Sequence, residues 1–327
     1  MTRTLLVVLT AALLVLAVSA PAIAQTAPAS PDQSSNDPGY NHGRGGGINS
    51  YPSPSAIKYM PARDFQDRRI DMFMGDWHES MPRSLHGSLV VRDLLTKGDN
   101  FAPPSKAAIL KYTNFVAYAT LSAYASTTPT KLNNEQEVFY FIGGTGTLTA
   151  GGATGQLQKD VAAFMPANLE FVMRNSGDQP LTMYIISEPT PPGFKPNNKL
   201  LMIDERKAHF RTPAGPDPYI VPGSSGHWAH IVRELFAQRD GLASLSSILT
   251  VELPPLSLGE PHPHGPLQEE VWTALEGNSL AWEATGLRLQ RPGMAYMIRP
   301  DGASTHTNIN FGDAKIKFLY SVAGPRQ

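Results

Sequence analysis

The stretch GEPHPHGPLQEEVWTALEG, residues 259–277, read together with PGMAYMIRPDGASTHTNIN, residues 292–310, decides the fold of this chain. The two segments carry His262, His264, Glu269, Glu270 and His306. Residues i and i+2 of an extended strand point to one face, so His262-Pro-His264 projects two imidazoles together. A carboxylate shortly after them and a third imidazole one hairpin later complete a three-His, one-carboxylate set. Such a set suits a divalent transition metal (Mn, Fe, Ni, Zn or Cu) and leaves one or two positions for water or substrate.

The two segments resemble the paired motifs of the cupin superfamily, commonly written G-x5-H-x-H-x3,4-E-x6-G and G-x5-P-x-G-x2-H-x3-N. Here His262-x-His264 is followed by Glu270, six residues and Gly277, and later by Pro300-x-Gly302, three residues, His306, three residues and Asn310. Two departures stand out. Five residues separate His264 from Glu270, and the second motif carries one extra residue before its His. Glu269 has the four-residue spacing but misses Gly277 by one, so Glu270 is preferred as the ligand and Glu269 is the alternative. The resemblance implies a double-stranded β-helix (jelly-roll) barrel with a metal inside its mouth, held by His262, His264, Glu270 and His306. It also implies dioxygenation, decarboxylation, isomerisation or hydrolysis of a small organic substrate.

Working outward, the same unit occurs twice. Gln136–Gly144 parallels Glu269–Gly277, and Met165–Asn175 parallels Arg299–Asn310. An internal repeat describes the whole chain, which reads as all-β with two tandem cupin barrels. The expected division is a signal peptide at 1–24, a polar linker at 25–56, an N-terminal barrel at 57–195 and a C-terminal barrel at 196–327. The first copy keeps Glu137, but residues 127–134 read TTPTKLNN where the paired His belong, and Phe171 stands at the third-His position. With a carboxylate and no imidazole, this barrel is expected to be metal-free and to serve structure, an interface or an organic ligand.

Strand alternation extends the site. From Glu270 it places Trp272 on the same face, and from His306 it places Asn308 and Asn310 there. Trp272 and Asn308 are the pocket-lining candidates, with Tyr296 and Arg299 nearer the rim. Glu270, if loosely coordinated, or Glu269 can act as general base. The expected function is a metal-dependent enzyme on a small organic substrate, with oxygen-dependent oxidation the preferred subclass. The alternatives are a non-catalytic metal or small-molecule binding protein and a metal-dependent hydrolase or isomerase. Four other histidines read as packing or capping groups: His78 and His86 at a barrel end, and the i, i+3 pair His227 and His230 near the start of the second unit.

Composition excludes several classes. The 327 residues carry a net charge of −1 with 17% charged residues, which gives no basic face for nucleic acid. Gly and Pro number 28 and 29, and this density of turn residues between short apolar runs fits strands better than helices. No Cys is present, so neither disulfides nor a lipidated Cys is in play. Arg3, an apolar run at 5–18 and Ala22-Ile-Ala24 describe a secretory signal peptide cleaved after Ala24. That run is short for a membrane span, which needs ~20 residues. A periplasmic or secreted protein without a span in its mature form is expected, acting as a monomer or homodimer.

Overall fold

The computed structural model describes residues 68–210, 229–265, 267–284 and 286–325. The expected signal peptide, the linker and His227 lie outside the described residues. Among those described, the α-helix Arg68–Met72 is five residues long, and the rest of the regular structure is strands and single 3-10 turns. None of the described helices is long and apolar enough to cross a membrane.

The strands form two pairs of sheets, antiparallel except where Ala108–Leu110 runs parallel to Leu89–Lys97 at the margin of the first barrel's large sheet. In the first barrel, the large sheet runs in the order Leu201–Asp204, Val161–Met165, Glu135–Gly143, Leu181–Pro189, Phe115–Leu121, Leu89–Lys97, Pro82–Leu85. Its partner sheet is Thr130–Lys131, Glu170–Asn175, Gly146–Ala150, Ala153–Leu157. The second barrel repeats the plan. Its large sheet is Met74–Asp76, Met294–Met297, Glu269–Glu276, Ile316–Ala323, Leu245–Leu253, Ile231–Ala237, His209–Phe210, and its smaller sheet is Ser257–Leu258, His306–Asn310, Ser279–Glu283, Gly286–Gln290.

The division at 195/196 is redrawn by two exchanged strands. Met74–Asp76, ahead of the first barrel in sequence, pairs with Met294–Met297 of the second. Leu201–Asp204, ahead of the second barrel, pairs with Val161–Met165 of the first. Each exchanged strand ends in an Asp that caps a following 3-10 turn: Asp76 accepts from the His78 N–H and Asp204 from the Arg206 N–H. Gly75 makes the crossing possible, because a Cβ there would lie 1.7 Å from the Leu94 carbonyl oxygen.

Alternation along the strands sorts the side chains into three cores. Phe139, Phe141, Phe171 and Met173 fill the first barrel, while Trp272, Phe318 and Tyr320 fill the second. Between the large sheets lies a third cluster, with Val138, Tyr140, Tyr184 and Ile186 from the first barrel and Phe236, Ile248, Val271 and Leu319 from the second. Position 138 therefore faces the partner barrel and 139 faces inward; likewise 271 faces the partner barrel and 272 faces inward.

The repeat register is fixed by two asparagines. Asn175 Nδ2 lies 2.8–3.0 Å from the carbonyls of Leu121, Ser122 and Gln179, and its Oδ1 accepts from the Gly177 N–H. Asn310 makes the same set to Leu253, Pro254, Ala314 and the Gly312 N–H. With these two superposed, Phe171 stands where His306 does.

Candidate metal site

The proline-interrupted run His262–His264 is held in extended form by the neighbouring strand. His262 and His306 exchange backbone hydrogen bonds of 3.2 and 3.0 Å across an antiparallel bridge. That bridge brings their rings together, tilted by 58° with centroids 4.5 Å apart, and the His264 ring centroid lies 4.9 Å from both. Glu270, the second residue of the Glu269–Glu276 strand, supplies the carboxylate. One ligand atom from each of His262, His264, Glu270 and His306 falls within 4.8 Å of all the others.

Hydrogen bonds behind the rings set which nitrogen faces inward. Nδ1 of His262 donates to the Glu260 carbonyl at 2.8 Å, and Nδ1 of His306 donates to the His262 carbonyl at 2.9 Å. A ring whose Nδ1 carries the proton presents a lone pair at Nε2. His306 Nε2 lies 3.3 Å from Glu270 Oε1, and His264 Nε2 lies 3.1 Å from Oε2. Imidazole lone pairs and a carboxylate converging on one buried point are a donor set that a divalent cation fits.

Glu270 is held at both oxygens. The Trp272 indole N–H donates to Oε1 at 2.7 Å, and the Tyr320 hydroxyl donates to Oε2 at 2.6 Å. Burial alone would raise this carboxyl, but His264 and His306 beside it bring it well below the usual carboxylate range. For His264, burial lowers the imidazole, yet the Glu270 charge leaves it net raised. His306 is lowered, first by burial.

The other predicted residues fall into distinct places. Glu269 is not beside the site. Strand alternation puts it on the Val271 face, toward the first barrel, where its carboxylate accepts from the Lys111 and Tyr112 N–H groups and the Thr113 hydroxyl. Its proposed role as general base or alternative ligand is therefore corrected. Trp272 lies inside the barrel against Phe318 and Tyr320, as a support for the carboxylate. Tyr296 is not at the rim; it is fully buried and donates to Asn308 Oδ1 at 3.1 Å. Arg299 is also mostly buried, 3.7 Å from Asp301, and its backbone N–H donates to Glu283. His230 immediately precedes the Ile231–Ala237 strand and sits against Trp272, whereas His227 lies outside the described residues. Tyr320 was not among the predicted residues, although it lies directly across the Ile316–Ala323 strand pair from Trp272.

In the first barrel the register places Thr130 at the His262 position, since Thr130 pairs with Phe171 as His262 pairs with His306. Leu132 then takes the place of His264. The expectation of no imidazole there is corrected by His86, which reaches in from another strand connection to Glu137 at 2.8 Å.

The sequence family described as the cupin domain matches residues 118–187, inside the first barrel. That match identifies a cupin domain in the first barrel. The two-barrel chain resembles several solved structures in its fold. A Pseudomonas aeruginosa protein described as glyoxylate-induced aligns with TM-score 0.58 and 13% identity, over 75% of this chain and 85% of that one. AerE from Microcystis aeruginosa aligns at 0.55 and 12%, over 78% and 100%. A deletion variant of Bacillus subtilis oxalate decarboxylase aligns at 0.54 and 12%, over 77% of each. No curated protein matches the sequence. At these identities the likeness concerns the fold alone.

Proposed function

We propose that this bicupin is an exported metal-dependent enzyme acting on a small organic acid, with oxygenase or decarboxylase chemistry. The observation that carries it is the convergence of three imidazoles and a carboxylate whose two oxygens are already engaged by Trp272 and Tyr320. Glu270 held in this way is a ligand rather than a mobile base, and Glu269 is turned away. The chemistry then falls to the bound ion, which supplies a Lewis acid and, if redox active, electron transfer. This weighs against a base-driven hydrolase or isomerase.

The residues around the ligands support an acidic substrate. Among the described residues, Asn308 Nδ2 is a buried donor without a hydrogen-bond partner, and Arg299 Nε nearby is engaged only by the longer ion pair to Asp301 at 3.7 Å. An unsatisfied buried donor costs about 1–3 kcal/mol. A substrate carboxylate or carbonyl relieves that cost at Asn308, whose amide Tyr296 holds, and the Arg299 charge adds attraction for an anion.

Elemental mass spectrometry on wild type and on a His262→Ala/His264→Ala variant tests the reading. About one equivalent of a first-row metal in wild type and almost none in the variant is expected. Fe, Mn or Cu directs the search to oxygen uptake and CO2 release from small carboxylic acids. A well-folded wild type that takes up no metal at all would overturn the proposal.

A further inference from the structure

The first barrel holds a polar pair that the metal site does not use. Glu137, the counterpart of Glu270, is 1% exposed, and around it Thr130, Leu132 and Phe171 replace the three ligand histidines. The imidazole that meets it belongs to His86, on the turn between Pro82–Leu85 and Leu89–Lys97. The His86 side chain is 5% exposed, with Nε2 2.8 Å from Glu137 Oε2. Its ring meets Phe171 edge-on at 5.2 Å and Phe139 at 6.5 Å.

The chain spends free energy to put this ring there. His86 has φ 49°, a left-handed conformation that is strained for a non-glycine residue. The backbone N–H and hydroxyl of Thr128 both donate to the His86 carbonyl and hold the turn. The other charges nearby are committed elsewhere: Arg83 pairs with Asp93, and Glu135 accepts from Ser187 and Asn114.

Two polar atoms are left over. Glu137 Oε1 is sealed and has no hydrogen-bond partner. His86 Nδ1 makes no hydrogen bond among the described residues, and it is not one of the sealed atoms. Burial raises the Glu137 carboxyl, with His86 opposing it. With Oε2 protonated, Glu137 donates to Nε2, and an imidazole that accepts at Nε2 carries its N–H at Nδ1, where it is a donor.

We propose that the first barrel is a second, metal-independent binding site, in which His86 Nδ1–H, backed by Glu137, donates to an oxygen of a small aromatic or apolar carboxylic acid. Phe139 and Phe171 supply the walls. The site stands whether or not the second barrel is an enzyme, because neither His86 nor Glu137 belongs to the metal cluster.

Benzoate is the probe, titrated calorimetrically into the full-length wild type, His86→Phe, Glu137→Gln and His262→Ala/His264→Ala. Saturable binding is expected in wild type and equally in the second-barrel variant, weakened at least tenfold by His86→Phe and by Glu137→Gln. On wild type alone, nitrogen-15 NMR should show the His86 Nδ1 signal protonated and moving with benzoate. That measurement needs no variant to fold. A His86 signal indifferent to benzoate, binding untouched by His86→Phe, or binding lost only when the second barrel is altered would each overturn the proposal.

Discussion

Glu188 and Glu269 are reciprocal clamps between the two barrels. Glu188, from the first barrel, accepts from the Ala243 and Leu245 N–H groups at 2.8 and 2.6 Å and from the Ser244 hydroxyl at 3.0 Å. Glu269, from the second, accepts from the Lys111 and Tyr112 N–H groups at 2.6 and 2.9 Å and from the Thr113 hydroxyl. Each carboxylate thus grips the segment that leads into the other barrel's Phe115–Leu121 or Leu245–Leu253 strand. Both are almost wholly buried, and burial pushes both carboxyls up while these donors pull them back.

Adjacent glutamates should therefore separate cleanly in two measurements. Glu269→Ala strands three donors in the interface and is expected to cost about 3 kcal/mol of unfolding free energy in urea, with metal content unchanged. Glu270→Ala should abolish metal retention in elemental analysis. If Glu269→Ala lost the metal while keeping full stability, the clamp assignment would be wrong.

Tyr320→Phe removes one of the two donors that hold Glu270 and leaves the ring in place against Trp272. Partners behind a metal ligand are worth about 10–100-fold in metal affinity. A loss within that range is expected in a chelator competition titration, with near wild-type stability. Unchanged affinity would mean that Trp272 alone positions the carboxylate.

How much of this was legible beforehand differs by feature. The fold follows from the doubled motif, because Gly144 and Gly277 (φ 80° and 73°) and Asn175 and Asn310 mark equivalent turns in both copies. The clustering of His262, His264, Glu270 and His306 was legible too, because the six-residue spacing to Gly277 favoured Glu270 over Glu269, which the structure turns onto the Val271 face. The exchanged strands were not legible: Met74–Asp76 is three residues long, and its partner lies more than two hundred residues on. His86 was missed for a similar reason, as it comes from a connection outside the repeated motif.

Asp76 anchors one exchanged strand through the His78 N–H at 2.9 Å, the His78 ring at 2.7 Å and Arg291 at 2.7 Å. Burial raises its carboxyl, but His78 and Arg291 outweigh that and hold it below the usual range. A lowered folded value contributes stability above the unfolded value, about 3.9, and that stability is lost as the pH falls through the folded value. Asp76→Asn keeps an equally good cap but removes the charge that His78 and Arg291 face, which should cost up to about 1 kcal/mol at neutral pH. The gap to wild type should then close below about pH 4 in urea titrations; a gap that stayed constant with pH would remove the charge from the account.

Asn175 and Asn310 offer a test that one barrel controls for the other. Each amide satisfies three backbone carbonyls and one N–H at the end of a smaller-sheet strand. Removing either side chain leaves those groups buried without a partner, at a cost of about 3 kcal/mol. The two losses in stability should be similar, because the geometry is. Their effects on metal should differ, because the Asn310 strand begins with His306 whereas the Asn175 strand carries Phe171 in that place. Asn310→Ala is expected to speed metal loss to a chelator at least several-fold, and Asn175→Ala to leave it unchanged. Equal metal loss in both would show that the barrels respond as one unit and that strand anchoring is not what holds His306 in position.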